Sequence, residues 1–230
     1  MKIDVLTLFP EFFDGLRDYG IIGRALRADI FSLTATDIRD YTLDKHRKVD
    51  DEIYGGGPGM LMTPEPIHRA IEARRSEEAH VIFLSPQGSV LTQNKLEELS
   101  TYKHLILLCG HYEGIDERII ELDVDEEISI GDYVLSGGEI PAMVLIDGVV
   151  RWLDGALGND ESVVSDSLSD GLLKCAQYTR PREFMGMEVP DILMTGHHAN
   201  IEEWKHQDSL ERTQKKRPDL YKKFEKESDI

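Results

Sequence analysis

Residues 126–150 read EEISIGDYVLSGGEIPAMVLIDGVV and contain, in order, a strand-like run, a glycine-bearing segment and an apolar helix. Glu126–Ile130 predicts a strand, and Glu139–Val150 predicts a core helix. The segment Ser129–Glu139 holds three glycines and an aromatic residue. Glycine lets the main chain approach a ligand closely, so backbone N–H and C=O groups could bind a flat polar molecule there. An ordinary tight turn is the alternative interpretation of the same glycines.

Outward from this segment, further apolar runs alternate with stretches of helical spacing. The runs that predict strands are Lys2–Leu8, Phe31–Thr36, His80–Ser85 and His104–Cys109. Helices are predicted over Pro64–Arg75 and Thr92–Leu99, with Thr63 and Thr92 placed as N-caps. Such alternation is typical of an α/β fold, with a parallel sheet and helices on both of its faces.

The composition changes after Trp152. Residues 154–170 are rich in Gly, Ser, Asn and Asp, as linkers are. The region beyond is rich in turns and then becomes helical from Asn200 to about Lys216, with Trp204 and Leu210 as its expected buried positions. We therefore predict a main domain over residues 1–157, a flexible linker over 158–170 and a small helical domain over 171–230.

The net charge of −18 is distributed unevenly along the 230 residues. Residues 111–170 carry two basic and sixteen acidic side chains, so fourteen of the net negative charges lie in that quarter of the chain. Basic clusters occur at Lys45–Lys48 and Lys215–Arg217. Each could be a plain solvated face, and the acidic total does not exclude an RNA partner.

The two cysteines, Cys109 and Cys175, lie far apart and form neither a disulfide framework nor a CxxC metal site. A reducing, cytoplasmic location suits this composition best. No apolar run approaches the ~20 residues that span a bilayer, so no membrane partner is expected. The pair His197–His198 lacks metal-binding spacing, and no metal ligand is predicted.

Glycine-bearing loops follow several predicted strands. They are Asp51–Met60, Leu108–Arg118 and Ser129–Glu139, with Leu84–Gly88 as a fourth. In open α/β sheets, ligands bind just outside the carboxyl ends of the strands, so these loops are expected to line one crevice. None of them reads GxGxxG or GxxxxGK[ST], which argues against a dinucleotide or a nucleoside triphosphate.

These loops and several further motifs resemble the bacterial tRNA (guanine-N1)-methyltransferases, which methylate guanosine 37 beside the anticodon. The resemblance covers nearly the whole chain. Its segments are Leu8–Pro10, Val49–Asp51, Tyr54–Met60, Leu84–Gly88, Cys109–Gly110, Tyr112–Arg118, Ile130–Glu139, and Tyr178–Pro181 through to Gly196–Ala199. Members of this family are homodimers, and the C-terminal part of their sheet is threaded as a trefoil knot. Knots are rare, and no periodicity in this sequence predicts one.

The resemblance also implies a pocket for S-adenosyl-L-methionine, built from the knot loops. Carried over residue by residue, the pocket would be formed by Leu84, Ser85, Pro86, Gln87, Gly110, Tyr112, Glu113, Ile130, Gly131, Asp132, Tyr133, Val134, Leu135, Gly137, Gly138 and Pro141. Main-chain groups would bind the adenine edge, and apolar side chains would enclose the ring. Two residues depart from the expected pattern: Phe83 stands in place of tyrosine and His111 in place of arginine.

Methylation at guanine N1 requires a base, because N1 of neutral guanine carries a proton. A nearby carboxylate could accept that proton, and a cation near O6 would stabilise the developing charge. The resemblance assigns these catalytic roles to Asp166 and Arg151. From the residues alone, Arg151 would be a structural ion-pair partner, and Asp166 has no advantage over Asp160 or Asp170. A base in the linker suggests that tRNA docking orders residues 158–170 over the pocket.

The remaining expectations concern the tRNA. Pro58 and Gly59, in the Gly55–Met60 loop, are candidate contacts for the target guanine, although this loop could equally be a rigid turn. Lys215–Arg217 would contact phosphates of the anticodon stem-loop. A divalent cation such as Mg²⁺ is a candidate additional component. The alternatives are a noncatalytic RNA-binding protein that retains the pocket, and a small-molecule methyltransferase or nucleotide-binding enzyme of similar fold.

Overall fold

The computed structural model describes residues 1–157 and 166–228 of the chain. It divides into two compact units, Met1–Asn159 and Asp160–Ile230. The predicted linker falls mostly on residues 158–165, which lie outside the described residues, while residues 166–170 form turns and bends. The predicted division into domains stays a prediction.

The first unit contains a five-stranded, fully parallel sheet. From one edge to the other its strands are β2 (Ser32–Asp37), β1 (Lys2–Thr7), β6 (His104–Cys109), β5 (Ala79–Val90) and β7 (Glu126–Ser129). The strands described in this unit are β1 (Lys2–Thr7), β2 (Ser32–Asp37), β3 (Asp50–Asp51), β4 (Leu61–Met62), β5 (Ala79–Val90), β6 (His104–Cys109) and β7 (Glu126–Ser129). The helices are α1 (Asp14–Asp18), α2 (Gly20–Arg27), α3 (Pro64–Arg74), α4 (Gln93–Ser100), α5 (Glu117–Asp123) and α6 (Glu139–Val150), with short 3₁₀ turns at Pro10–Phe13 and Ile38–Tyr41. The predicted α/β fold with a parallel sheet is confirmed.

Alternate residues of the central strands point to opposite faces, and each face has its own hydrophobic core. Leu105 and Leu107 of β6 pack in the core that includes α6, whereas Ile106 and Leu108 pack in the core that includes α3. All six residues of β6 are buried. Burial on both faces explains why this strand appears in the sequence as a continuous apolar run.

Strand β5 differs from its prediction. The sequence predicts a strand that ends at Ser85, but the chain continues to Val90 and pairs with β7 on both sides of an irregularity between Leu84 and Ser89. The Ser85–Gly88 segment is therefore a bulge within a strand. Prediction also missed α1, α2 and α5, all of them eight residues or shorter.

The second unit contains a short hairpin and two helices. The hairpin joins β8 (Glu183–Phe184) to β9 (Met187–Glu188), a 3₁₀ turn spans Asp191–Met194, and the helices are α7 (His198–Lys216) and α8 (Pro218–Ser228). Trp204 and Leu210, expected to be buried, are only half-buried, and Thr213 is the buried residue of α7. The Thr213 hydroxyl accepts a hydrogen bond from the Leu173 N–H at 2.9 Å, and so ties this helix to the preceding segment.

No helix in the described ranges is long and apolar enough to cross a membrane. The trefoil knot and the status of residues 171–230 as a separate helical domain stay predictions.

Candidate functional site

A pocket of about 250 Å³ opens at the carboxyl edge of the sheet, where β6, the β5 bulge and β7 come together. Three stretches supply its walls. They are residues 83–87, residues 110–115 with Glu117 and Ile120, and residues 128–131 and 133–138 with Pro141. Of the sixteen residues predicted to bind a cofactor, the lining contains all except Asp132. The Asp51–Met60 loop, which was expected to line the same crevice, is not part of the lining.

Several lining residues were not in the predicted set. They are Phe83, His111, Gly114, Ile115, Glu117, Ile120, Ile128, Ser129 and Ser136. Phe83 and His111 drew attention in the sequence only as departures from a pattern. Glu117 begins α5, whose short length gave no helical signal, so the sequence offered no reason to place its carboxylate at the pocket.

The charged side chains of the lining are acidic. Glu113 and Glu117 contribute carboxylates, and among the described residues no lysine or arginine lines the pocket. Neither carboxylate has a hydrogen-bond or ion-pair partner within the described part of the chain. A wall of this kind favours a cationic ligand and disfavours phosphate groups, since unscreened like charges repel in a partly desolvated site.

Two glycines allow the backbone segments around the pocket to approach one another. A Cβ added to Gly88 would lie 2.3 Å from the carbonyl carbon of Glu127, so only glycine lets the β5 bulge lie against β7. A Cβ on Gly138 would lie 2.6 Å from Cα of Cys109. The Gly138 N–H donates to the carbonyl oxygen of Gly110 at 3.0 Å, which joins the start of α6 to the end of β6.

Beside the pocket, a buried carboxylate connects three segments. Glu139, the first residue of α6, is only 3% exposed. It accepts hydrogen bonds from the Thr7 hydroxyl at the end of β1 and from Nε2 of His111, which lies 2.8 Å from both carboxylate oxygens. The pKa of the neighbouring Cys109 thiol is raised by burial and, secondarily, by the negative charge of Glu139.

The Gly55–Met60 loop and the start of β4 are hydrogen-bonded to the Glu113–Gly114 part of the pocket wall. The Glu113 N–H donates to the carbonyl oxygen of Met60, and the Met62 N–H donates to that of Gly114, both at 3.0 Å. A Cβ added to Gly59 would lie 2.5 Å from Oε1 of Glu113. Gly59 is thus in direct contact with a residue of the pocket, although Gly59 and Pro58 are both exposed.

The two predicted catalytic residues are not in the pocket lining. Arg151 directly follows α6 in the first unit and is half-buried. Asp166 belongs to the second unit, where its Oδ1 accepts a hydrogen bond from Nζ of Lys174 at 3.1 Å. Arg151 and Asp166 each make at least one further interaction. Their catalytic roles stay predictions.

Within the described residues, no group of three or more His, Cys, Asp or Glu side chains is arranged to hold a metal ion. The candidate Mg²⁺ stays a prediction.

Comparisons with known proteins agree along the length of the chain. The family model described as tRNA (Guanine-1)-methyltransferase TrmD matches residues 1–223. The tRNA (guanine-N(1)-)-methyltransferase of Ruminiclostridium cellulolyticum is 56% identical over 227 residues, with 97% of each chain covered. The protein of the same name from Finegoldia magna is 54% identical over 227 residues, which cover 99% of this chain and 97% of the relative. A third, from Chromobacterium violaceum, is 55% identical over 227 residues, with 96% and 89% covered.

Proposed function

This chain belongs to the tRNA (guanine-1)-methyltransferase family, and on that premise we propose that it methylates guanosine 37 of tRNA, next to the anticodon. The enzyme class and the atom modified follow from membership: it is a methyltransferase that acts on N1 of a guanine in tRNA, with S-adenosyl-L-methionine as cosubstrate. Family membership does not specify which guanosine is methylated, and we propose position 37.

The acidic, glycine-lined pocket is the observation that supports a binding site for S-adenosyl-L-methionine in this chain. S-adenosyl-L-methionine has a sulfonium and an ammonium group, and the unpartnered carboxylates of Glu113 and Glu117 suit a cation of this kind. Residues 130–138 offer main-chain groups for the adenine edge, while Leu135 and Pro141 offer apolar surface for the ring. We therefore assign the cofactor to this pocket, with the fifteen predicted residues that line it as contacts and Glu117 as an added one; Asp132 stays a prediction.

The chemistry requires two further groups. The bound cosubstrate supplies a methyl group on a positively charged sulfur. We assign Asp166 as the base that takes the proton from guanine N1 as the new N–C bond forms and the C–S bond breaks, leaving S-adenosylhomocysteine. Arg151 would stabilise the negative charge that develops on O6. Gly59, which touches Glu113, is the contact that supports placing the target guanine beside the Gly55–Met60 loop.

Methyl transfer to synthetic anticodon stem-loops tests the proposed position. We expect radiolabelled methyl groups to enter a stem-loop with guanosine at position 37 and not one with adenosine there, and hydrolysis of the product should yield 1-methylguanosine. A stem-loop whose only loop guanosine is at position 36 is the control for position. If the stem-loops with guanosine at position 36 and at position 37 are labelled equally, position 37 is not the specific target. Binding of the stem-loop without methyl transfer would favour the noncatalytic RNA-binding alternative.

We further propose that the enzyme is a homodimer. Ile140 and Val144 lie one helical turn apart on α6 and are 49% and 45% exposed, although the rest of this helix is largely buried. Phe9, 42% exposed, packs edge-on against His111 at a centroid distance of 5.0 Å, next to the start of the same helix. An apolar face of this kind beside the pocket is typical of a surface covered by a second subunit. The knotted topology and the helical tRNA-binding domain over 171–230 belong to this proposal.

The proposed contact with the anticodon stem depends on two lysines. Lys215 and Lys216, at the end of α7, are exposed and have no ion-pair partner among the described residues. Arg217 is engaged: its guanidinium binds Asp219 and lowers the pKa of that carboxyl to about 2. Replacing both lysines by glutamine should raise the Kd for tRNA and reduce its salt slope by about 1 to 2, while leaving cofactor affinity unchanged.

Binding titrations at several salt concentrations would measure this change. Lys205→Gln is the matched control, because Lys205 lies on the same helix but is paired with Glu202 at 2.7 Å. If the double variant binds tRNA as wild type does, or if the control loses as much affinity, these lysines do not contact the phosphates.

A further inference from the structure

The proposed reaction gives no role to the buried carboxylate of Glu139, although it connects three segments of the chain beside the cofactor pocket. It joins the end of β1 through Thr7, the segment after β6 through His111, and the start of α6, of which it is part. A glutamate at a helix N-terminus needs no burial to interact with the helix dipole. Glu139 is only 3% exposed and has hydrogen-bond partners on two other segments, which indicates a more specific structural role.

The His111 side chain is held on several sides. Its Nε2 donates to Glu139, its ring packs edge-on against Phe9, and its backbone N–H donates to Sδ of Met62 at 3.3 Å. The Phe9 N–H in turn donates to the Thr7 hydroxyl oxygen at 2.9 Å. The contacts of Glu139 therefore determine where the imidazole sits at the edge of the pocket.

The segment that follows His111 is strained. Tyr112 has a φ of +59°, in the left-handed region that a tyrosine rarely adopts. Such a conformation persists only where the surroundings hold it in place. Tyr112 and Glu113 both line the pocket, so a fixed His111 gives this wall its shape.

The same pair also supports the opposite wall. A Cβ added to Gly137 would lie 2.4 Å from Cε1 of His111 and 2.6 Å from Oε2 of Glu139. Gly137 lines the pocket, so its backbone lies directly against the imidazole and the carboxylate. The hydrogen-bonded pair of His111 and Glu139 thus contacts two walls of the pocket, the Gly110–Glu113 segment and the segment at Gly137.

We infer that Glu139 is a positioning residue for the cofactor pocket, acting through His111 to hold the Gly110–Glu113 wall against Gly137. The inference rests on the proposed function, because it assigns cofactor binding to this pocket. Glu139 itself is not assigned a contact with the cofactor. Its loss should therefore weaken cofactor affinity and change turnover much less.

Calorimetric Kd values for S-adenosyl-L-methionine, with steady-state kcat and KM, test this role. Glu139→Ala and His111→Ala are each expected to raise Kd and the cofactor KM by about tenfold, with kcat at saturating cofactor within about threefold of wild type. The double variant should be no weaker than the weaker single variant, since a residue that acts through another gives non-additive effects. Glu139→Gln, which can still accept from Thr7, should recover part of the affinity.

Asp4→Asn is the matched control. Asp4 is also a buried carboxylate, and it lies 2.8 Å from Nε2 of His104. Asp4 is on β1 and His104 is on β6, the two strands that Thr7 ends and His111 follows, but this pair lies away from the pocket. We expect it to lower the melting temperature without changing Kd. If Asp4→Asn does not fold, Asp123→Asn serves as the control instead, because Asp123 is a second buried carboxylate paired with a histidine, His68.

Two results would overturn the inference: folded Glu139 variants with wild-type Kd, or effects of Glu139→Ala and His111→Ala that add in full. If Glu139→Ala does not fold, Glu139→Gln and His111→Ala still decide the question, and wild-type affinity in both would count against it. Failure of the wild-type protein to bind S-adenosyl-L-methionine would instead refute the proposed function.

Discussion

Asp166→Asn is expected to lower methylation turnover by ~10²-fold or more, the cost typical of losing a general base, while the Kd for S-adenosyl-L-methionine stays close to wild type. Asparagine has nearly the same shape as aspartate and can still accept a hydrogen bond from Lys174, which lies 3.1 Å from Oδ1. It cannot accept the proton that guanine N1 must lose. The substitution therefore separates proton transfer from folding and from cofactor binding.

Single-turnover methylation with saturating tRNA and cofactor would measure this effect. Asp170→Asn is the matched control, because Asp170 lies in the same short segment and its Oδ1 caps the Leu172 N–H at 3.0 Å. The sequence by itself does not distinguish these two aspartates. Wild-type turnover in Asp166→Asn, or an equal loss in Asp170→Asn, would refute the assignment of the base.

The sequence predicted the sheet well because strands that are buried on both faces form short, continuous apolar runs. His104–Cys109 and Glu139–Val150 have the predicted bounds, since apolar residues fill both faces of that strand and most of that helix. The bulge in β5 could not be predicted in this way. It depends on a register shift against β7, a strand some forty residues further along the chain, and local propensity does not encode such pairing.

Fifteen of the residues that line the pocket were predicted, but the hydrogen bonds that hold its walls in place were not. The glycine segments could be expected at the carboxyl edge of the sheet, because parallel strands all end there. The partnership of Thr7, His111 and Glu139 could not, since residues 132 positions apart meet only after β1 and β6 have paired. His111 drew attention as an unexpected residue type, but its hydrogen bonds required the fold.

Gly138→Ala is expected to raise the Kd for S-adenosyl-L-methionine by up to about 10²-fold, because binding would have to restore the overpacked wall at a cost of up to ~3 kcal/mol. The cause is steric and not conformational: Gly138 has φ −82° and ψ −6°, values that alanine adopts readily. The added methyl group would lie 2.6 Å from Cα of Cys109 and 3.1 Å from the Gly110 nitrogen. Both are backbone atoms at the end of a buried central strand, so α6 must move instead, and the pocket wall moves with it.

Calorimetric titration with the cofactor, together with thermal unfolding, would measure both consequences. The melting temperature should fall by several degrees, because ~1 kcal/mol corresponds to about 2–4 °C in a chain of this size. Gly15→Ala is the control: it also places alanine at a helical glycine, but nothing lies within 4 Å of the added Cβ, so affinity and stability should be retained. Wild-type cofactor affinity in Gly138→Ala would mean that the first turn of α6 does not form the wall of the cofactor pocket.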